Sequence, residues 1–138
     1  MRFIDTNVLL YAISTDPDEQ AKRAIAVAIL EGPDIGFSIQ VFQEFYHQAT
    51  RPGRLGALSH QMAVGVVTSS MRFPVQPMTL DVLFDAFRIR SLTGFSYWDS
   101  AILAAARALG CDEVLTEDLA HGRTIEGVAI VNPFRSAA

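Results

Sequence analysis

Asp5, Glu44, Asp99 and Asp118 are the residues of this chain whose types and placement could do chemistry. The opening segment RFIDTNVLLYA is apolar at Phe3 and Ile4, breaks at Asp5, Thr6 and Asn7, and resumes apolar from Val8 to Ala12. A strand that ends on a carboxylate and gives way to an apolar helix sets that carboxylate at the strand's C-terminal edge. Asp118 repeats the arrangement one residue beyond EVLT. Glu44 lies in the helix after a second strand, and Asp99 in the first turn of a helix capped by Ser96. Four carboxylates in one polar pocket repel and resist ionising together, so the pocket needs cations. Hard oxygen donors select Mg²⁺ or Mn²⁺, which bind one or two carboxylates and keep several waters. One such ion, or a pair about 3.5–4 Å apart, activates a water and braces a phosphate through in-line displacement.

Taken singly, each acid has an ordinary structural reading. Asp5, Thr6 and Asn7 are all good helix caps. Ser96 and Asp99 have the spacing of a capping box. Glu44 lies off the centre of its helix's apolar stripe, beside Val41, where a solvated position is the default. TEDL reads as a turn and cap. Joint placement after successive strands is what favours a shared site. Within TED, Glu117 and Asp118 are adjacent on an extended segment and point in opposite directions, so only one of them faces it.

The elements that position these acids alternate between strand and helix. RFID is the first strand; the helical stretch after it is interrupted at TDPDEQ, where Asp16 caps and Pro17 suits a first turn. GPDIGFS gives a turn, a short strand over Ile35 to Phe37, and a cap at Ser38. IQVFQEFYHQA follows as a helix with an apolar stripe of Val41, Phe42, Phe45, Tyr46 and Ala49. TRPGRLG breaks it, and a further helix is expected over Leu55 to Met71, weakened by Gly65. A short strand in FPVQPM and a helix over Leu80 to Leu92 come next. FSYWDSAILAAARALG is the clearest helix, from Ser96 to a stop at Gly110. CDEVLT and GVAIVN are strands. Strands separated by helices imply a mainly parallel sheet covered on both faces, with sites at the carboxyl ends of the strands near the point where strand order reverses.

Composition sets the outer limits. The 138 residues fit one domain over 1–138, large enough to bury roughly two thirds of its unfolded surface. Half the residues are apolar and 19% charged, the balance of a globular protein with a core. No basic n-region or small-residue cleavage site marks a secretory signal, and no apolar run approaches the roughly 20 residues of a membrane span. The lone Cys111 cannot form an internal disulfide and is expected as a packed thiol, which suits a cytoplasmic protein. A net charge of −4 offers no general attraction to nucleic acid, so a polyanion must be recruited locally. His47, His60 and His121 have no metal-ligand spacing with one another or with Cys111, which argues against zinc. Arg51, Arg54, Arg88 and Arg90 are expected as solvated arginines, with RNA-backbone contact the alternative. Trp98 is expected in the core because its helix is otherwise apolar; stacking on a base is the alternative.

FIDTNVLLYA, the acid in SIQVFQEFYHQA, YWDSAILAAARALG, and VLTEDL with GRTIEGVAIVNPF together resemble the PIN-domain ribonucleases, most closely the VapC-type toxins of toxin–antitoxin pairs. The resemblance spans essentially the whole chain and keeps the family's order. It implies a three-layer α/β/α sandwich with a mainly parallel sheet, an acidic metal site and endoribonuclease activity. The four family acids map to Asp5, Glu44, Asp99 and Asp118, with Asp118 preferred over Glu117 for the Thr-x-Asp spacing and Glu117 facing outward. Thr116 matches the hydroxyl beside the site, and Thr6 and Asn7 its polar supports. The implied cofactor is Mg²⁺, with Mn²⁺ a substitute, as one or two ions. The implied products carry a 3′-hydroxyl and a 5′-phosphate. The implied partners are an RNA substrate, a cognate antitoxin and a second copy in a homodimer, with Ala24 to Leu30 one helix able to serve a dimer or antitoxin face. Two other readings remain: a catalytically silent PIN-like binding module, and a phosphotransfer domain of the receiver or haloacid-dehalogenase type. The second wants an aspartate where Asn7 stands and a late lysine, whereas Lys22 is the sole lysine.

Overall fold

A computed structural model describes residues 1–137. Strand β1 (Arg2–Ile4) leads into α1 (Thr6–Ala12), a 3₁₀ turn and α2 (Gln20–Glu31). Then come β2 (Ile35–Ser38), α3 (Ile39–Ala49), α4 (His60–Ser69), β3 (Val75–Gln76), α5 (Leu80–Thr93) and α6 (Tyr97–Leu109). The chain closes with β4 (Glu113–Leu115), β5 (Thr124–Ile125) and β6 (Val128–Val131). The strands form one sheet in the order β3-β2-β1-β4-β6-β5, parallel except where β5 runs antiparallel to β6.

That order explains the layers. The chain steps outward from β1 to β2 to β3, then crosses back to place β4 on the other side of β1. Right-handed crossovers in opposite directions deposit their helices on opposite faces. Accordingly α1 packs with α2 and α3, and α4 with α3, whereas α5 packs with α6 and α6 lies across β2, β3, β4 and β6. Phe3, Ile4, Ile35, Phe37, Val114 and Ile130 are buried in the sheet between them, as the near-continuous apolar runs of a doubly covered parallel sheet require. The expected mainly parallel sheet flanked by helices is the one observed.

Helix ends follow the local chemistry of the sequence. Asp5, Ser38 and Ser96 each cap the helix that follows: Asp5 accepts from the N–H of Thr6, Ser38 from that of Val41 and Ser96 from that of Asp99. Asp16 caps the 3₁₀ turn that opens with Pro17. Gly94 and Gly110, at φ of 77° and 83°, end α5 and α6 in the left-handed region.

Three expectations need correction. The helix expected over Leu55 to Met71 runs only from His60 to Ser69, with Ser70–Arg72 a 3₁₀ turn. Residues 51–58 are instead a chain of turns, closed by Arg54 N–H to Arg51 O and Ala57 N–H to Arg54 O. Gly53 and Gly56 sit at positive φ there, and a Cβ on Gly56 would meet Thr15 Oγ1 at 2.3 Å. Secondly, GRTIEGVAIV hides a hairpin: β5 and β6 are joined at Glu126 and Gly127, both at positive φ (52° and 85°), the signature of a tight primed turn. Thirdly, Trp98 is 62% exposed and lies outside the core: it sits in the first turn of α6, ahead of the Ser100–Ala106 run where the helix becomes buried on every side.

Ser38 is both the last residue of β2 and the cap of the helix carrying Glu44, and it is fully buried. Ser38→Ala removes the acceptor of the Val41 N–H and is expected to lower unfolding free energy by about 1 kcal/mol in urea denaturation.

Candidate functional site

Strand order reverses between β1 and β4, and the crevice at their carboxyl ends is where open parallel sheets bind ligands. Ile4 and Leu115 pair as the last residues of the two strands, so Asp5 and Thr116 emerge side by side. Asp5 donates its N–H to Leu115 O at 3.1 Å, and Thr116 its own to Val131 O at 3.0 Å.

Asp5 is buried, with 6% of its surface exposed. Its Oδ1 accepts from the Thr6 N–H at 2.7 Å and its Oδ2 from the Thr116 hydroxyl at 2.8 Å. The network spreads from there. Asn7 Nδ2 donates to Thr116 Oγ1 at 3.2 Å and to Asp118 Oδ2 at 3.0 Å, while Asp118 N–H donates to Thr116 Oγ1 at 3.1 Å. In the other direction the Thr6 hydroxyl donates to Glu44 Oε2 at 2.8 Å. Glu44 Oε1 accepts from Gln40 Nε2 at 2.9 Å, and the same Nε2 reaches the Trp98 carbonyl at 3.1 Å. Six of the seven residues singled out from sequence therefore form one continuous polar network: Asp5, Thr6, Asn7, Glu44, Thr116 and Asp118. Asp99 stands at the edge, coupled through charge; its neighbour's carbonyl holds Gln40.

The electrostatics show acids brought close without compensation. Burial lifts the Asp5 carboxyl to about 6, against the stabilising bonds from Thr116 and Thr6, and the charges of Glu44 and Asp118 push it further up. Burial also raises Asp99, followed by the charges of Asp118 and Glu44. Among the described residues no Lys or Arg pairs with any of the four. Nor do any three Asp, Glu, His or Cys side chains close into a ready-made cage for an ion. An ion here would take one or two carboxylates and complete its shell with water, as hard divalent cations do. The hard oxygen donors and the uncompensated charge fit such an ion.

The adjacent acids of TED part company. Asp118 lines the cleft, while Glu117 turns away to accept from the Tyr11 hydroxyl and from Lys22 Nζ at 2.6 Å. Glu117 is thus tied to neighbours, one of them the sole lysine, and its expected outward direction ends in a partly buried triad. Burial works against the Glu117 anion, but the Lys22 ammonium and the Tyr11 hydroxyl outweigh it and hold the carboxyl below its usual range. The Glu117 N–H also donates to Asn7 Oδ1 at 3.2 Å, which fixes the amide orientation of Asn7. Tyr11 and Lys22 were silent in the sequence; their partner lies about a hundred residues away.

Beside the network opens a cleft of about 580 Å³ lined by Thr6, Asn7, Leu10, Gln40, Gln43, Glu44, His47, Gln48, Trp98 and Asp118. Gln40, Gln43, Glu44, His47 and Gln48 follow one another at helical spacing on one face of α3, a polar stripe written in the sequence beside the stronger apolar one. Elsewhere, Arg88 pairs with Asp85 and Glu126, and Arg90 donates to Phe95 O, so these two serve the fold around α5. Cys111 is a packed thiol, pushed by burial up to about 11.

The Asp5 shift has a sign that can be tested in metal-free protein. The fold holds this proton more tightly than the unfolded chain, whose carboxyl titrates near 3.8. The contribution is therefore fully present below pH 3.8 and is lost as pH rises to 6, leaving a penalty of about 3 kcal/mol above it. In urea denaturation with EDTA, the stability of Asp5→Asn relative to wild type is expected to climb by that order between pH 4 and pH 7. A flat difference would contradict the assignment.

The PIN domain profile matches residues 2–126. No curated relative matches in sequence. Among solved structures, the chain is similar to VapC20 of Mycobacterium tuberculosis, a sarcin-ricin loop cleaving toxin, at 17% identity and a TM-score of 0.65 over 86% of this chain and 92% of that one. It is similar to a toxin–antitoxin complex from Klebsiella pneumoniae at 20% identity and 0.68 over 96% and 98%. It also resembles FitAB bound to a DNA fragment, at 21% identity and 0.73 over 98% and 96%. At these identities the likeness speaks for the fold, and the profile match for the family. An acid-lined crevice at the reversal point of a parallel sheet, on a chain matched almost from end to end, makes this protein a member of the PIN domain family.

Proposed function

We propose that this protein is a metal-dependent endoribonuclease that hydrolyses RNA phosphodiester bonds, acting as the toxin of a toxin–antitoxin pair. PIN nucleases generally work with divalent metal ions. The observation that carries the reading is the buried Asp5, linked through Thr116 and Asn7 to Asp118 and through Thr6 to Glu44, with no Lys or Arg among the described residues paired to these acids. Asp5 and Asp99 would be the principal ligands of Mg²⁺ or Mn²⁺, with Glu44 and Asp118 holding a second ion or orienting waters. When bound, the metal supplies positive charge for the transition state and lowers the pKa of an attacking water.

The chain's own residues do the rest. Thr116 and the Thr6 N–H keep the two Asp5 oxygens in fixed directions and leave each a lone pair for a ligand. Asn7 aims Asp118, and Thr6 with Gln40 aims Glu44. Asp99 sits in the first turn of α6, where the helix's positive end works against the burial that raises its carboxyl. That end also suits an approaching phosphate. No side-chain nucleophile is called for.

The structural neighbours include toxin–antitoxin complexes, some bound to DNA, which supports an antitoxin as this chain's partner. Leu80, Phe84 and Phe87, at helical spacing, leave an apolar face of α5 exposed, which supports burial against a second copy. No helix among the described residues is long and apolar enough to cross a membrane.

The test is an RNA cleavage assay on EDTA-treated protein with added metal. Activity is expected to return with Mg²⁺ or Mn²⁺ and to be nearly abolished in Asp5→Asn and Asp99→Asn while both remain folded. Thr116→Val should lose about 10–100-fold, as supporting groups of metal ligands do. Turnover in EDTA, or full turnover in the Asn variants, would refute the assignment. Silence of the wild type on varied structured RNAs would favour a binding module.

A further inference from the structure

The cleft beside the acids has a wall that phosphate chemistry does not use. Trp98 is among the residues lining it and is 62% exposed, in the first turn of a helix whose remaining turns are mostly buried. The ring is braced: Tyr97 meets it edge-on at 5.1 Å and 79°, and Tyr97 in turn rests on Phe87 at 5.6 Å. The α3 stripe lines the same cleft, where Gln43, His47 and Gln48 carry amide and imidazole hydrogen-bonding edges and only Glu44 is an acid. Gln40 ties the two walls together, donating to both Glu44 and the Trp98 carbonyl. Its Oε1 is one of only two buried side-chain polar atoms without a hydrogen-bond partner among the described residues; the other, Ser100 Oγ, follows Asp99 directly. Both belong to the helices that frame the cleft, α3 and α6.

An exposed aromatic residue and a row of amide and imidazole side chains lining one opening of about 580 Å³ describe a receptor for a planar, apolar-faced, polar-edged group. A nucleobase has that chemistry, and unpaired RNA bases are recognised by stacking on aromatics while their edges are hydrogen-bonded. We propose that the cleft takes one unstacked base of the RNA strand, laid on Trp98 and contacted along its edge by Gln43, His47 and Gln48. The proposal rests on the ribonuclease reading and deepens it: the substrate is a single-stranded or looped segment, because a base held in a duplex cannot reach the indole. Glu44 and Asp118 line the same cleft, so the seated base holds its own backbone beside the acids.

Trp98 is the only tryptophan, so its fluorescence reports this one surface. The experiment titrates wild-type protein with a mixed-sequence single-stranded decaribonucleotide in Ca²⁺ buffer, with gels confirming that the strand stays intact. Saturable quenching is expected with the single strand and none with its blunt duplex or with an abasic strand of equal length. By anisotropy of the labelled strand, Trp98→Ala should bind roughly ten-fold more weakly, and Trp98→Phe should recover most of that loss. Equal quenching by duplex or abasic strand, or unchanged binding by Trp98→Ala, would overturn the proposal. The two readings fail separately. Cleavage in Mg²⁺ without quenching overturns the base cleft alone. Quenching without cleavage in Mg²⁺ or Mn²⁺ upholds the cleft and overturns the nuclease.

Discussion

Burying a carboxylate at the reversal point of a parallel sheet is the constraint from which the rest of this site follows. Asp5 is held by two neutral donors, a backbone N–H and a threonine hydroxyl, which direct its charge without cancelling it. Glu44 and Asp118 are drawn close through Thr6 and Asn7, and their charges add to the strain of burial. Lys22 stands nearby in the chain but is committed to Glu117. The fold thus concentrates negative charge and keeps its own cations out. Such an arrangement costs stability in the metal-free protein and becomes favourable once a divalent ion enters.

The same constraint reconciles a net charge of −4 with a polyanionic substrate. Nothing in the overall field of the protein draws RNA in. Attraction would have to be local, from an ion for the phosphate and, on the proposed base cleft, from Trp98 and the amide stripe for the base. Division of labour between backbone positioning and base contact is the general logic of nucleic-acid recognition, and here α3 and α6 contribute one wall each.

Much of this was legible in the sequence where a signal is local. Strand ends carrying Asp5 and Thr116, caps at Ser38 and Ser96, and the glycine stop at Gly110 are all written in neighbouring residues. The mostly parallel sheet followed from alternation of apolar runs and amphipathic stretches. What escaped depends on partners far apart in the chain. Glu117 was separable from Asp118 only by direction, and its anchors at Tyr11 and Lys22 are about a hundred residues away. Trp98 reads as core because its helix is apolar, yet it stands in the first turn, ahead of the buried run that begins at Ser100. The 51–58 turns and the β5–β6 hairpin depend on positive φ at Gly53, Gly56, Glu126 and Gly127, and only the glycines advertise it. The polar face of α3 was overlooked because its opposite face carried the stronger hydrophobic signal.

The most direct measurement is anomalous diffraction from a crystal soaked in Mn²⁺ near neutral pH. The account predicts a peak among Asp5, Glu44, Asp99 and Asp118, within ordinary oxygen-ligand distance of at least one carboxylate and ringed by water. A saturated soak with no peak there, or with Mn²⁺ bound only elsewhere on the protein, would contradict it.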